Sequence, residues 1–151
     1  MKIILIVIAV ILVISLIANI SLAIKSQKMP GNLGLNDGKL RPCPETPNCV
    51  CSEKHSKDDK QHFIEPIRVR TAKKFDELKQ TLVNQGGTII TEDGNYAHIT
   101  FTSTIFRFVD DVEIRFEPEK KMAHIRSASR MGQSDLGVNR KRMNKLKKAF
   151  K

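Results

Sequence analysis

Val112-Glu113-Ile114-Arg115-Phe116-Glu117-Pro118-Glu119-Lys120-Lys121-Met122-Ala123-His124-Ile125-Arg126-Ser127 is the stretch that decides the fold. Val112, Ile114 and Phe116 alternate with Glu113, Arg115 and Glu117, a period of two that sends successive side chains to opposite faces of a strand. Pro118 to Lys121 turns the chain, and Met122 to Ser127 forms the next strand. The expected arrangement is a hairpin with apolar residues inside and charged residues in water. Upstream, Asp93-Gly94-Asn95 closes another hairpin, between Gly87 to Thr91 and a run that begins at Tyr96. In that run Ala97, Ile99, Phe101 and Ser103 form the core-facing set, against Tyr96, His98, Thr100 and Thr102, and the strand is expected to continue through Ile105 and Phe106.

Elsewhere the periodicity changes. From Ala72 to Gln85, Phe75, Leu78 and Leu82 recur at helical spacing, Thr71 can cap the start, and Gly86-Gly87 ends the segment. A final helix is expected over Leu136 to Phe150, with Ser134 as its cap, Asp135 at its positive end, and Leu136, Met143, Leu146 and Phe150 as its apolar stripe. Phe63, Ile64, Ile67 and Val69 read as an edge strand interrupted by Pro66. The order strand, helix, four strands, helix gives the α+β class: a single antiparallel sheet with two covering helices, compact over residues 63–151.

Ahead of this domain, Ile3 to Ile24 is 22 residues without a charge, bounded by Lys2 and Lys25. As a helix it would span roughly 33 Å, against a hydrocarbon core of about 30 Å. Residues 1–25 are therefore expected to be a transmembrane anchor or a signal segment. Ser21-Leu22-Ala23 has the form of a cleavage site, but the apolar run exceeds the roughly 7–15 residues of a secretory signal. Length favours a retained single-pass anchor, while cleavage would leave the domain exported or periplasmic. The Met1 amine and Lys2 precede the run, and Lys25, Lys28, Lys39 and Arg41 follow it. This balance favours a cytoplasmic domain, against the habit of N-terminal anchors with short tails.

Residues 26–62 read as a linker and cap, interrupted by Pro30, Gly31, Gly34, Gly38, Pro42, Pro44 and Pro47, with the charged run Glu53 to Lys60 behind them. Cys43, Cys49 and Cys51 lie within it and can close a disulfide loop or supply thiolates to a metal. Cys43 with Cys49 is the preferred pair, since Cys49 and Cys51 would bridge only under strain. A zinc site would need a fourth ligand such as His55 at nonstandard spacing, so no metal and no cofactor is assigned.

Charge is uneven. Residues 126–151 hold nine basic side chains and one acidic, whereas residues 26–125 hold 15 of each sign. The excess makes a basic C-terminal face, on which Lys145, Lys147 and Lys148 are candidate contacts for anionic lipid. Nucleic acid is disfavoured, because the sequence has one Tyr, no Trp and no recognised binding motif. The string from Arg126 to Arg142 combines arginines, hydroxyls and glycines across a strand-to-helix junction. There Arg126, Ser127, Ser129, Arg130, Asn139, Arg140 and Arg142 can hold a carboxylate or phosphate, or else pair internally with Asp110, Asp111 or Glu113.

The motifs Asp110-Asp111-Val112-Glu113, Arg126-Ser127-Ala128-Ser129-Arg130 and Asp135-Leu136-Gly137-Val138-Asn139-Arg140-Lys141-Arg142, with Leu33-Gly34-Leu35-Asn36-Asp37-Gly38 and Pro42-Cys43-Pro44 to Pro47-Asn48-Cys49-Val50, resemble the DUF1499 family of bacterial and plastid proteins. The likeness covers nearly everything after the leader, which implies that residues 33–51 pack as part of the domain. It also implies that Cys51, where the family generally has serine, stands outside the disulfide. The family carries no assigned catalytic residue, so the resemblance implies a domain extent and not a reaction.

The functional expectation is a membrane-associated, noncatalytic binding or structural module, with the membrane reached through residues 3–24 and anionic lipid or another protein as further partner. The alternative is a small extracytoplasmic enzyme or anion-binding protein using the Arg126 to Arg142 region. For an enzyme, His98, His124, Asp110, Asp111, Ser127 and Ser129 would have to assemble a base and a nucleophile without a nucleophile elbow or an HExxH motif.

Overall fold

A computed structural model describes residues 1–53 and 58–150. His55, which a zinc site would have required, lies outside the described residues.

Helix α1 (Lys2–Ser26) is apolar on every side, and none of its most apolar window is buried against the domain. It is long and apolar enough to anchor the protein in a membrane as a single pass.

The chain then makes a two-stranded hairpin from β1 (Leu35–Asn36) and β2 (Lys39–Leu40). Strands β3 (Cys49–Cys51), β4 (Ile67–Arg68), β5 (Thr88–Asp93), β6 (Tyr96–Thr102), β7 (Val109–Glu117) and β8 (Met122–Ser129) form one antiparallel sheet. Its order is β3-β8-β7-β6-β5, with β4 also paired to β8. Helices α2 (Ala72–Asn84) and α3 (Val138–Ala149) contribute Phe75, Leu78, Leu82, Met143 and Leu146 to a core with Ile99, Val112, Ile114 and Ile125. Each fully buried leucine contributes roughly 1.5–3 kcal/mol. Phe75 stacks on Phe116 with ring centroids 5.4 Å apart, which ties α2 to β7.

Local chemistry sets the helix ends. Thr71 Oγ1 accepts from Lys74 N at the start of α2. At its end Gly86 takes a φ of 97°, and Gly87 N donates to Leu82 O at 3.0 Å. Gly87 has no room for a side chain, since a Cβ there would sit 2.6 Å from Ile99 Cγ2. The α3 helix begins two residues later than expected. Gly137 adopts a left-handed φ of 76°, and Leu136, outside the helix, is 85% exposed rather than part of the apolar stripe. The capping role falls to Asp135, whose carboxylate accepts from Gly137 N at 3.0 Å and Asn139 N at 2.7 Å, whereas Ser134 Oγ accepts only from Leu136 N.

Two further expectations are corrected. The 63–69 strand shrinks to Ile67–Arg68, with Phe63 making a single bridge to Cys51. Strand β6 stops at Thr102, leaving Ile105 and Phe106 in the β6–β7 loop. Residues 49–51, within the 33–51 stretch that the resemblance joins to the domain, form a sheet strand: β3 pairs along β8 through Cys49↔Ala128, Val50↔Ser127 and Cys51↔Arg126.

The segment that carries β3 also covers the sheet face opposite the helices. That layer explains why the period of two does not put charges in water: His98, Asp111, Glu113 and Arg126 are all buried. At the other edge, β5 carries an irregular register between Ile89 and Thr91 and ends on Glu92 and Asp93.

Cys43 and Cys49 are bridged, with Cα atoms 5.7 Å apart, while Cys51 is buried outside the bridge, its Sγ 3.8 Å from Arg41 O. The bridge closes a short loop leading into β3. Replacing both Cys43 and Cys49 with serine is expected to cost roughly 2 kcal/mol, read as a lower denaturant midpoint.

Candidate anion-binding site

Asp110 and Asp111 are neighbours on β7, so the pleat must send them to opposite faces of the sheet. The candidate residues of the junction divide accordingly. On the helix face, Asp110 accepts from Ser129 Oγ at 2.6 Å and from Arg142 at 2.7 Å. Arg142 also donates to Asn139 Oδ1 at 2.7 Å and Ser127 Oγ at 3.2 Å, and it lies 4.4 Å over the Phe101 ring. Ser127 Oγ donates to Asn139 Oδ1 as well. Asn139 in turn donates to Asn48 O at 3.1 Å, and Asn48 donates to Gly132 O at 2.7 Å. This network pins the start of α3 to β8 and to the residue preceding β3.

Arg140 belongs to neither cluster. Its guanidinium donates to the backbone carbonyls of Phe63 at 2.9 Å and Gln61 at 2.7 Å.

The opposite face holds buried ion pairs. Asp111 receives Arg130 in a two-pronged contact of 2.8 and 2.7 Å, and Oδ1 also lies 2.7 Å from His98 Nε2. Burial works to raise the Asp111 pKa, but the hydrogen bonds and charges of His98 and Arg130 outweigh it and hold the carboxyl below its ordinary range. Arg130 also donates at 3.2 Å to the carbonyls of Ser26 and Gln27, where α1 ends. A cation at the carbonyl end of a helix is favourably placed. One residue thus joins the sheet to the membrane helix.

Beside it, Glu113 accepts from Arg126 at 2.8 Å, from the Tyr96 hydroxyl at 2.8 Å and from Gly34 N at 2.7 Å. Burial, and then the Glu113 charge, push the Tyr96 phenol well above its usual pKa, so it stays a donor. A further cluster joins Arg115 to Glu53 at 3.0 Å and to Glu117 at 3.3 Å, with His124 Nε2 3.1 Å from Glu117.

Arg126 is 2% exposed, and its Nε has no hydrogen-bond partner among the described residues. It lines a cavity of about 330 Å³ together with Arg130, Asp111, Ser129, Asn48 and Pro30. The floor of this cavity is β8 and its roof is the segment that precedes β3. A guanidinium with an unused N–H suits a planar carboxylate or a phosphate.

The depressed Asp111 carboxyl has a consequence in solution. A folded-state pKa below the unfolded one stabilises the fold above about pH 4, and that contribution is lost as pH falls through the folded value. Acid titration of the stability should show an unfolding limb beginning below about pH 4 that weakens in Asp111→Asn.

Sequence parity already contained the split between Asp110 and Asp111. What periodicity lacked was any signal for His98, Tyr96, Asn48, Glu53 and Arg115 as partners, since each meets its contact across strands or layers. Of the surface lysines, Lys145 and Lys148 are exposed on α3. Lys147 lines a groove with Ile67 and Arg68, beside the start of β8, whereas Arg130 and the end of α1 lie beyond its finish.

No curated protein and no solved structure matches the chain. The family model described as "Protein of unknown function (DUF1499)" matches residues 39–150, so that α1, Ser26 and Gly34 precede the matched region. That match covers most of the molecule, including β3, the whole β5–β8 meander and both domain helices, and the chain belongs to the DUF1499 family.

Proposed function

We propose that this membrane-associated protein is a noncatalytic binding module that takes a small carboxylate or phosphate in the Arg126 cavity. The observation that carries the reading is the buried Arg126 Nε with no partner among the described residues, set in a cavity of about 330 Å³. A buried donor without an acceptor costs free energy, and an anionic oxygen would relieve that cost. The Glu113 carboxylate accepts from Arg126 Nη1, and the same arginine side chain lines the cavity that a ligand would enter. An enzymatic reading has less support. Ser127, Ser129 and Asp110 lie on the helix face, while His98 and Asp111 lie on the other, so the sheet stands between those hydroxyls and His98.

The exposed Lys145 and Lys148 support a second reading, in which α3 meets anionic lipid or another phosphate-bearing surface. Calorimetric titration of the full chain with inorganic phosphate separates the two. Saturable binding is expected in the unsubstituted chain. It should disappear in the Arg126→Met, Glu113→Gln double variant, which keeps the buried charge balanced, and persist when Lys145, Lys147 and Lys148 are all changed to glutamine. Loss only in the lysine variant would assign the anion to α3, and no saturable binding in any form would overturn the cavity reading.

A further inference from the structure

We propose that the β6–β7 loop is a second membrane contact, with Ile105 and Phe106 entering the bilayer beside α1 and a lipid acyl chain filling the groove between loop and helix. The groove, about 570 Å³, is walled by Leu16, Ile20 and Ile24 on one side and by Ile105 and Phe106 on the other. Leu16 to Ile24 covers about 12 Å of helix, which falls within the half-thickness of roughly 15 Å of a hydrocarbon core. One wall is the membrane span itself, so a groove open along that wall faces hydrocarbon and not water.

The loop is held in this position. Gln27 Nε2 donates to Arg107 O at 2.6 Å, and Ser103 and Phe108 close the loop base through contacts of 2.8 and 2.9 Å. Ile105 is 83% exposed and Phe106 is 42% exposed, an arrangement that is costly in water and favourable in lipid. Arg107, next in the chain and also exposed, has a long stem on which its charge can reach the headgroups while the neighbouring apolar pair lies deeper. The expectation that Ile105 and Phe106 extend the strand therefore gives way to a turn that presents them at its tip.

The inference rests on α1 being retained and is independent of the Arg126 cavity. It is tested on the full chain in phosphatidylcholine and phosphatidylglycerol liposomes, using single cysteines labelled with an environment-sensitive fluorophore. Leu12→Cys marks the span. Glu119→Cys marks the turn at the far end of β7, roughly 30 Å away along the strand. Labelling of the unsubstituted chain provides the background from the buried Cys51.

Ile105→Cys and Phe106→Cys should be quenched by acyl-chain nitroxide lipids as Leu12→Cys is, and several-fold less than Glu119→Cys by aqueous iodide. If the loop probes follow Glu119→Cys while Leu12→Cys stays in lipid, the loop contact is overturned and the anchor stands. Shielding from both quenchers, with energy transfer between labelled copies, would place a second chain in the groove and overturn the lipid assignment. A Leu12→Cys probe in water would remove the anchor and the loop contact together.

Discussion

Arg126→Met should destabilise the full chain by about 3–5 kcal/mol, because it leaves the Glu113 carboxylate buried without its counter-charge. Glu113 is fully buried, and its remaining partners are neutral: the Tyr96 hydroxyl and Gly34 N. Denaturant titration in a mild detergent would read the loss as a lower midpoint. Adding Glu113→Gln should recover most of it, since a neutral amide oxygen can still accept from Tyr96 and Gly34 while no charge is stranded. A single variant as stable as the unsubstituted chain would mean that water or a counter-ion reaches Glu113, and the buried-pair account would fail.

Arg130→Met should cost less, about 1–3 kcal/mol, because Asp111 keeps His98 Nε2 as a partner at 2.7 Å, and it should also act where Arg126→Met does not. Arg130 is the residue that donates to the carbonyls of Ser26 and Gln27. Without it the last turn of α1 loses two carbonyl partners and a favourably placed cation. Hydrogen exchange of the Gln27 and Lys28 amides, which close that turn onto Ile24 and Lys25, should accelerate in Arg130→Met and remain slow in Arg126→Met once global stability is matched. Equal exchange in the two variants would show that the anchor is held to the domain by the β6–β7 loop and not by Arg130.

Much of this architecture was legible because its signals are local. Twenty-two uncharged residues, a helical stripe of Phe75, Leu78 and Leu82 behind Thr71, and a strict alternation over Val112 to Glu117 each need only neighbouring positions to be read. The part that could not be read depends on contacts between distant segments. The prolines and glycines around Gly34 and Pro42 look like a linker in sequence, yet Gly34 N meets Glu113 and Leu40 N meets Glu53. That cover turns an alternation of charged residues, which normally marks a wet face, into a buried ionic layer. The candidate residues at the junction were all identifiable, but their grouping was not. Parity alone separates Asp110 from Asp111, whereas the strand register is needed to bring Ser129 to Asp110 and Arg130 to Asp111.

The irregular register of β5 bears on how such a molecule behaves when crowded. A chain tethered by α1 diffuses in two dimensions, with its sheet edges held at a common height, a geometry that favours edge-to-edge association between copies. The break between Ile89 and Thr91 interrupts the register of the outer strand, and at its end Asp93 is exposed while Glu92 pairs with Lys79. Both features oppose strand addition. The free margin of the sheet thus carries two features that disfavour its pairing with another copy.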